Sequence, residues 1–176
     1  MNGKVLVTGC SGLVGTHTAN KLVEKGYEVI GVDIKTSEFL PTKNFEFHQI
    51  DLRDADDVSV LFDQFKFDGV INAFGIKGSP IRVQTKPIDY LEPSIKVNVN
   101  ITDNCVKHDC WLVYMSSVGV YQPAEVFVED TVWSTFPSEK DWYGGWSKRI
   151  PELYLEAYKV QAVSYTHLTL PTKVSV

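Results

Sequence analysis

Three glycines that follow a short strand-like run place the strongest constraint on how this chain can fold. The segment Thr8-Gly9-Cys10-Ser11-Gly12-Leu13-Val14-Gly15 comes directly after the apolar run 4–7 and opens a stretch of helical periodicity, 13–25. The first glycine of such a pattern permits a tight turn, the second a close approach of backbone to ligand, and the third close packing of helix on strand. Because the helix amino terminus faces the turn, the pattern predicts a pyrophosphate site. The alternative is a tight turn that binds nothing.

Strand-like and helix-like segments continue to alternate along the first two thirds of the chain. Apolar, β-rich runs predict strands at 4–7, 28–32, 46–50, 70–71 and 111–115. Helical periodicity predicts helices at 13–25, at 54–65 with Asp54 as N-cap, at 90–108 with Pro93 in the first turn, and at 145–158, with a long loop around Pro80 and Pro87. This alternation indicates an α/β fold with a doubly wound parallel sheet in the order 3-2-1-4-5. A sixth strand should follow the last helix.

Composition excludes several classes of protein. The chain has 176 residues, of which 44% are hydrophobic and 22% charged, and its formal net charge is −5. These proportions are typical of a globular domain, and the acidic balance argues against a nucleic-acid partner. The three cysteines, Cys10, Cys105 and Cys110, are too scattered for a disulfide framework or a zinc site, so we expect reduced thiols and no metal. With neither a signal peptide nor an apolar run of membrane length, we expect a cytoplasmic protein.

Asp33 extends the ligand prediction to a particular dinucleotide. It lies 18 residues after Gly15, at the end of the second predicted strand. A carboxylate at that place accepts hydrogen bonds from the ribose hydroxyls of NAD and repels the 2′-phosphate of NADP. We therefore expect NAD as the cofactor.

These motifs, with others further along the chain, stand in the order of one enzyme family. The glycine segment and Asp33 are followed by Asp51-Leu52-Arg53, Asn72-Ala73-Phe74-Gly75, Asn98, Ser116-Ser117-x-x-x-Tyr121 and Ser147-Lys148. Together they resemble the extended short-chain dehydrogenases, the NAD-dependent epimerases and dehydratases that act mostly on nucleotide sugars. The resemblance covers residues 1 to about 161. It implies a Rossmann domain, oxidation and reduction at a sugar carbon of a nucleotide sugar, and a homodimer for the full-length protein.

Two other functions stay open on these residues. One is a non-catalytic, dinucleotide-binding sensor or scaffold. The other is a hydroxysteroid- or flavonoid-type reductase of the same superfamily. The retained Ser117 and Lys148 argue against the sensor, because a sensor needs no serine aimed at a substrate hydroxyl.

The resemblance also assigns residues to the cofactor. Asp51 and Leu52 would meet the adenine. The segment Ala73-Phe74-Gly75 would line the cofactor beside the fourth strand, and Asn98 would lie below the nicotinamide unless it is a capping or core amide. The remaining members of the set come from the glycine segment and from one lysine: Gly9, Cys10, Ser11, Gly12, Leu13, Val14, Gly15 and Lys148.

Three residues are assigned to the chemistry by the same resemblance: Ser117, Tyr143 and Lys148. Ser117 matches the serine that hydrogen-bonds the reacting oxygen. Lys148 would hold the nicotinamide ribose and lower the pKa of a tyrosine that takes the proton of the sugar hydroxyl.

The spacing of the tyrosine departs from the family pattern, which is Tyr-x-x-x-Lys. The residue four before Lys148 is Gly144, and Tyr143 lies one position early, about 100° away on a regular helix. Three interpretations follow. Tyr143 reaches the site through a distorted first turn, another residue is the acid/base, or the protein binds NAD without normal redox chemistry.

Near the end of the chain, polar and apolar residues are mixed and Pro171 interrupts them, unlike the apolar runs of the predicted strands. Residues 163–172 resemble the translation of a transposon adapter used in sequencing libraries, rather than the buried sixth strand expected there. The alternative is a native loop and edge strand. We therefore expect an NAD-binding Rossmann domain at 1–161, truncated after the fifth strand and its following helix and lacking its substrate domain, and then a non-native tail at 162–176.

Overall fold

A computed structural model of the chain describes residues 2–76 and 78–161, in which parallel strands form one sheet. The strands are β1 Lys4–Thr8, β2 Glu28–Asp33, β3 Phe45–Gln49, β4 Gly69–Asn72 and β5 Trp111–Tyr114. They are ordered β3-β2-β1-β4-β5, and every pair of neighbours is parallel. The predicted doubly wound sheet and its strand order are confirmed. The predicted sixth strand and the tail at 162–176 lie outside the described residues.

Helices connect these strands. They are α1 Leu13–Glu24, α2 Ala55–Gln64, α3 Pro80–Thr85, α4 Ile88–Lys107 and α5 Trp142–Gln161. Three short 3₁₀ turns, Val118–Val120, Glu129–Ser134 and Glu139–Asp141, occupy the connection from β5 to α5. Asp54 caps α2 as predicted, because its carboxylate accepts hydrogen bonds from the N–H groups of Asp56 and Asp57.

Part of the predicted loop between the fourth strand and the next helix is itself helical. Ser79 starts α3 by accepting a hydrogen bond from Arg82 N at 3.3 Å, a capping interaction that the sequence reading missed. α4 then begins at Ile88, two residues before the predicted start. As a result Pro93 lies in the second turn of α4 and not in the first.

The start of α5 also differs from the prediction, by three residues. The 3₁₀ turn Glu139–Asp141 runs straight into α5, and Trp142 already has helical angles, φ −52° and ψ −56°. The glycines at 144 and 145 therefore continue a helix and do not precede one. This matters for the candidate site, because it fixes the direction in which each residue of the first turn points.

The sheet is buried on both faces, as parallel sheets between helix layers are. On one face, Leu6, Ile30 and Val70 pack with buried side chains of α2, α4 and α5. On the other face, Val7 and Val29 pack with residues of the glycine segment and α1. Strand order reverses between β1 and β4, and a crevice at the carboxyl ends of the strands is expected at such a point. Within the described residues, no helix combines the length and the apolar character that crossing a membrane requires.

Candidate functional site

The turn between β1 and α1 can be made only with glycine at two of its positions. Gly9 has φ +61°, and a Cβ there would come within 2.9 Å of the Ala73 carbonyl oxygen. A Cβ on Gly15 would overlap the carbonyl group of Gly9. The two glycines therefore bring α1 against the turn and bring the turn against the end of β4.

The amino terminus of α1 is free to meet an anion. Gly12 is its N-cap residue and supplies no side-chain hydrogen bond, and its first turn contains no acidic residue. The first N–H groups of an α-helix have no partner within the helix, and they carry the positive end of its dipole. Leu13 and Val14 stand exposed beside them, at 67% and 50% of their full areas.

Cys10 faces the interior and contributes only backbone to this region. Its side chain is fully buried against Val7, Ala19 and Val29. Burial raises the pKa of the Cys10 thiol to about 12, so the thiol is unreactive at neutral pH.

Asp33 lies at the end of β2, beside the glycine turn. Its carboxylate accepts hydrogen bonds from Ser11 N at 3.1 Å and from Ile34 N at 2.7 Å. It borders an open cleft of about 670 Å³, a volume within the range of small-molecule sites. Other residues that line this cleft come from the glycine turn, from the segment after β2 and from the end of β4: Ser11, Gly12, Lys35, Phe39 and Gly75.

The two residues assigned to adenine differ in what they can offer. The Arg53 guanidinium pairs with Asp51 and holds the pKa of that carboxyl below its usual value. Leu52 is only 4% exposed, and its side chain belongs to the hydrophobic core. Its carbonyl oxygen accepts a hydrogen bond from Asn100 Nδ2 at 2.9 Å. Leu52 can therefore reach a ligand through its backbone alone.

Asn98 belongs to a buried chain of amides. Thr8 Oγ1 donates to Asn72 Oδ1 at 2.6 Å, and Asn72 Nδ2 donates to Asn98 Oδ1 at 2.8 Å. Asn98 Nδ2 in turn donates to the Ser94 carbonyl oxygen at 2.6 Å. This arrangement ties β1, β4 and α4 together, and it favours the core-amide interpretation of Asn98.

Lys148 connects α5 to the ends of β4 and β5. Its ammonium donates to the carbonyl oxygens of Met115 at 2.9 Å and Phe74 at 3.4 Å, and it lies 5.2 Å from the centre of the Tyr114 ring. Burial lowers the pKa of Lys148, while the charge of Glu152 opposes that change. A Cβ on Gly9 would lie 3.0 Å from Phe74 Cα, so the lysine and the glycine turn approach the same residue, just after β4.

Ser117 and Tyr143 lie differently with respect to this lysine. Ser117 is exposed just after β5, and its Oγ accepts a hydrogen bond from Gly119 N at 3.1 Å, which leaves the hydroxyl hydrogen available to a ligand. Tyr143 lies in the first turn of α5, five residues before Lys148, and five residues of regular helix correspond to a rotation of about 140°. The structure therefore places Ser117 and Lys148 at the same end of the sheet, whereas regular helical geometry turns Tyr143 by about 140° from the lysine.

Two charged residues of α5 that sequence reasoning missed surround the lysine. Glu152, one turn after Lys148, accepts a hydrogen bond from Ser116 Oγ, and burial raises the pKa of its carboxyl. Arg149 is 2% exposed; its Nε donates to the Val120 carbonyl oxygen at 2.8 Å, and its Nη1 donates to that of Thr135. The spacing of Glu152 from Lys148 was a usable signal, whereas nothing in the sequence marks Arg149 as buried.

A metal site would need several His, Cys, Asp or Glu side chains close together. Within residues 2–76 and 78–161, no three His, Cys, Asp or Glu side chains are grouped as metal ligands would be.

Known proteins share both the sequence pattern and the fold. A UDP-glucose 4-epimerase of Pisum sativum is 34% identical over 143 residues, which are 72% of this chain and 41% of that protein. The solved structure of UDP-glucose 4-epimerase from Thermus thermophilus, in complex with NAD, is 27% identical, with a TM-score of 0.77 over 90% of this chain and 51% of that one. L-threonine dehydrogenase from Clostridium difficile, at 21% identity, has a TM-score of 0.78 over 90% of this chain and 50% of that one. That last similarity concerns the fold alone.

The length of the match and its extent along the chain give the conclusion. The chain spans about two fifths of the length of the pea relative, 41%. The family described as NAD dependent epimerase/dehydratase matches residues 5–175. Because this match covers nearly the whole chain and agrees with the motif-based resemblance, the chain belongs to the NAD dependent epimerase/dehydratase family.

Proposed function

We propose that the protein containing this chain binds NAD at the carboxyl ends of its strands and interconverts nucleotide sugars, as a UDP-sugar 4-epimerase. The observation that carries the proposal is the position of Lys148. Its ammonium contacts the Phe74 carbonyl oxygen, whose residue also abuts the glycine turn at Gly9. A charged catalytic group and a dinucleotide turn on one strand end are what oxidation of a bound substrate requires.

The residues present fit NAD. The uncapped amino terminus of α1 suits a pyrophosphate, and the cleft beside Asp33 has the volume of a nucleotide-sized ligand. The carboxylate of Asp33 keeps acceptor capacity for ribose hydroxyls beyond its bonds to Ser11 and Ile34. When bound, NAD would accept a hydride from the sugar carbon and return it, which is the redox chemistry of an epimerisation.

The chain's own residues would position the reacting oxygen and balance its charge. Ser117 has a free hydroxyl hydrogen that can be donated to the oxygen on the reacting carbon. Lys148 is half-buried, so its positive charge acts in a medium where charge stabilisation is stronger than in water. The reaction still needs a group that takes the proton, and the rotation of Tyr143 away from Lys148 weakens the case for that tyrosine.

The substrate class rests on the relatives. The pea and Thermus proteins named above are UDP-glucose 4-epimerases, and the family includes dehydratases as well. We infer a UDP-sugar for this protein from the pea relative at 34% identity. The homodimer and the cytoplasmic location expected from the sequence stay predictions.

A non-catalytic NAD-binding protein is the second candidate. It is favoured by Gly144, which supplies no side chain one turn before Lys148, and by the direction of Tyr143. The two candidates share cofactor binding and differ in turnover.

Binding and turnover therefore test the proposal separately. Calorimetric titration of the protein should give tighter binding of NADH than of NADPH. Asp33→Ala should narrow that difference by about tenfold, since it removes a ribose acceptor and a charge that repels phosphate. Glu24→Ala, on the exposed end of α1, is the matched control.

Conversion of UDP-glucose to UDP-galactose by the full-length protein tests the reaction. Tighter binding of NADPH would contradict the cofactor assignment. A protein that binds NADH and converts no UDP-sugar would favour the non-catalytic candidate.

A further inference from the structure

The space one turn before Lys148 is filled by a carboxylate from outside α5. A Cβ on Gly144 would overlap Oδ1 of Asp141, and a Cβ on Gly119 would lie 2.6 Å from Oδ2 of the same side chain. The Asp141 carboxylate thus lies between the first turn of α5 and the 3₁₀ turn after Ser117.

Ser117 flanks the same point. Its Oγ is 3.5 Å from the place that a Cβ on Gly119 would take, and Asp141 Oδ2 is 2.6 Å from it. A hydroxyl and a carboxylate therefore approach one small region at the carboxyl end of β5. Such a pair can hold one substrate hydroxyl between a donor and an acceptor.

Lys148 lies on the same side of the helix as this carboxylate. Gly144 is four residues before Lys148 in α5, an offset of about 40° on a regular helix, and Asp141 Oδ1 lies where a side chain on Gly144 would begin. Tyr143 is offset by about 140° from the lysine. On a regular helix the place occupied by the Asp141 carboxylate is therefore nearer in direction to Lys148 than that of Tyr143.

We propose that Asp141 is the catalytic acid/base, acting from the position that Gly144 leaves open; this inference rests on the proposed function. The Asp141 carboxylate takes the proton of the sugar 4-hydroxyl as its O–H bond breaks. The electron pair of that bond forms the C=O bond, and the hydrogen on the same carbon leaves with its own pair as hydride to the oxidised nicotinamide. In the reverse step the hydride returns to the opposite face of the carbon, and Asp141 returns the proton to the oxygen, so no net oxidation occurs.

The electrostatics of Asp141 agree with this role and disagree with a capping role. Partial burial raises the pKa of the Asp141 carboxyl, and in the part of the chain that the structure describes no hydrogen bond or cation opposes the rise. A carboxylate that capped α5 through its N–H groups would have a lowered pKa. A raised pKa brings a carboxyl closer to the working pH and makes it a better general base. The residue is exposed, so a ligand can reach it.

Turnover by the full-length protein gives the first test. Asp141→Asn keeps the shape and removes the base, so kcat for UDP-glucose should fall by about 100-fold or more, with the Kd for NADH unchanged. The loss should exceed that of Tyr143→Phe. Glu139→Gln, which removes a neighbouring carboxylate in the same 3₁₀ turn, is the matched control.

A binding experiment tests the contact without turnover. The NADH-loaded wild type should bind UDP-glucose roughly tenfold more tightly than UDP-4-deoxyglucose, since a hydrogen bond to a charged acceptor is lost with the hydroxyl. Asp141→Ala should abolish that preference, while its affinity for UDP alone stays at the wild-type value.

The outcomes separate the inference from the function on which it rests. An Asp141→Asn protein with kcat within about threefold of wild type overturns the acid/base role, as does an Asp141→Ala protein that still prefers the hydroxyl. A wild type that binds NADH but converts no UDP-sugar overturns the proposed reaction. In that case the binding comparison still decides whether Asp141 holds the hydroxyl.

Discussion

At the β1–α1 turn the groups proposed to face a ligand are mostly backbone atoms, whereas beyond β4 and β5 they are side chains, from α5 and from the loop after β5. In the first region, close contacts with main-chain atoms fix Gly9 and Gly15, and the Asp33 carboxylate accepts a hydrogen bond from Ser11 N. In the second, Lys148 donates to two carbonyl oxygens, of Phe74 just after β4 and of Met115 just after β5, and Ser117 lies on the loop after β5. The first region depends on the path of the backbone, which the glycines permit. The second depends on the direction in which side chains leave α5.

This difference determines how well a sequence motif predicts the geometry of each region. Moving a glycine by one position would disrupt the first region outright. Moving an acid/base by one position in α5 rotates it by about 100° and leaves the helix intact. The reaction side can therefore lose or exchange a residue while the dinucleotide side stays recognisable, as Gly144 and Tyr143 illustrate.

The largest effect should come from filling the glycine turn. Gly15→Ala places a methyl group against the carbonyl group of Gly9, so α1 must shift, at a cost of about 1–3 kcal/mol in stability. We expect the affinity for NADH to fall by roughly a thousandfold, since several charge-assisted bonds are lost together. Calorimetry and thermal unfolding would measure both.

Gly75→Ala is the matched control for that substitution. Among the residues that the structure describes, nothing lies within 4 Å of a Cβ at this position, although Gly75 borders the same cleft. It should unfold at the wild-type temperature. Near-normal NADH affinity in Gly15→Ala would show that the turn does not hold the dinucleotide.

A smaller effect should come from Lys148→Ala, on the reaction side. Loss of the ammonium should lower kcat of the full-length protein by about 100-fold and weaken NADH binding much less. A large loss of kcat with little loss of NADH affinity would show that the two regions serve different steps, reaction and cofactor binding. Lys159→Ala, which removes an exposed ammonium of the same helix, is the control; an equal loss of kcat there would contradict a specific role for Lys148.

The smallest effect should be a pH-dependent one at Glu152. Burial raises the pKa of this carboxyl, so the native state holds its proton more tightly than the unfolded state does. That contribution to stability is complete below the unfolded value, near pH 4.5, and is lost as pH rises through the raised native pKa. Glu152→Gln cannot ionise, so its unfolding temperature should match wild type at pH 4 and exceed it by about 2 °C at pH 7.

Glu156→Gln removes a carboxylate from the exposed side of α5 and is the control for thermal unfolding at the two pH values. A Glu152→Gln protein whose advantage is the same at both would mean that its carboxyl is not penalised by burial.

The sheet could be predicted from the sequence because β1, β2, β4 and β5 are largely apolar runs and the turn after β1 has a glycine pattern typical of a strand–turn–helix unit. The strand order followed from the alternation together with the order usual for doubly wound, dinucleotide-binding sheets. The start of α5 could not be predicted, because glycine has a weak helical preference and only the preceding 3₁₀ turn carries the helix through residues 144 and 145.

Within the site, the reliable predictions were those on backbone geometry. Leu52 was assigned to adenine by position, yet its apolar side chain gains more from the core than from a polar cleft. Asp141 was missed because only the folded chain brings its carboxylate to the place that Gly144 leaves without a side chain. Tyr143 remains assigned by resemblance alone.

Arg149 holds the connection after β5 through hydrogen bonds to the carbonyl oxygens of Val120 and Thr135. Every amino acid supplies such an oxygen. These hydrogen bonds therefore do not depend on which side chains the segment 120–135 carries. Residues between these two positions can change from one homologue to another without loosening the segment from α5. Most side chains from 121 to 134 are exposed, so substitutions there should leave the hydrogen bonds of Arg149 in place.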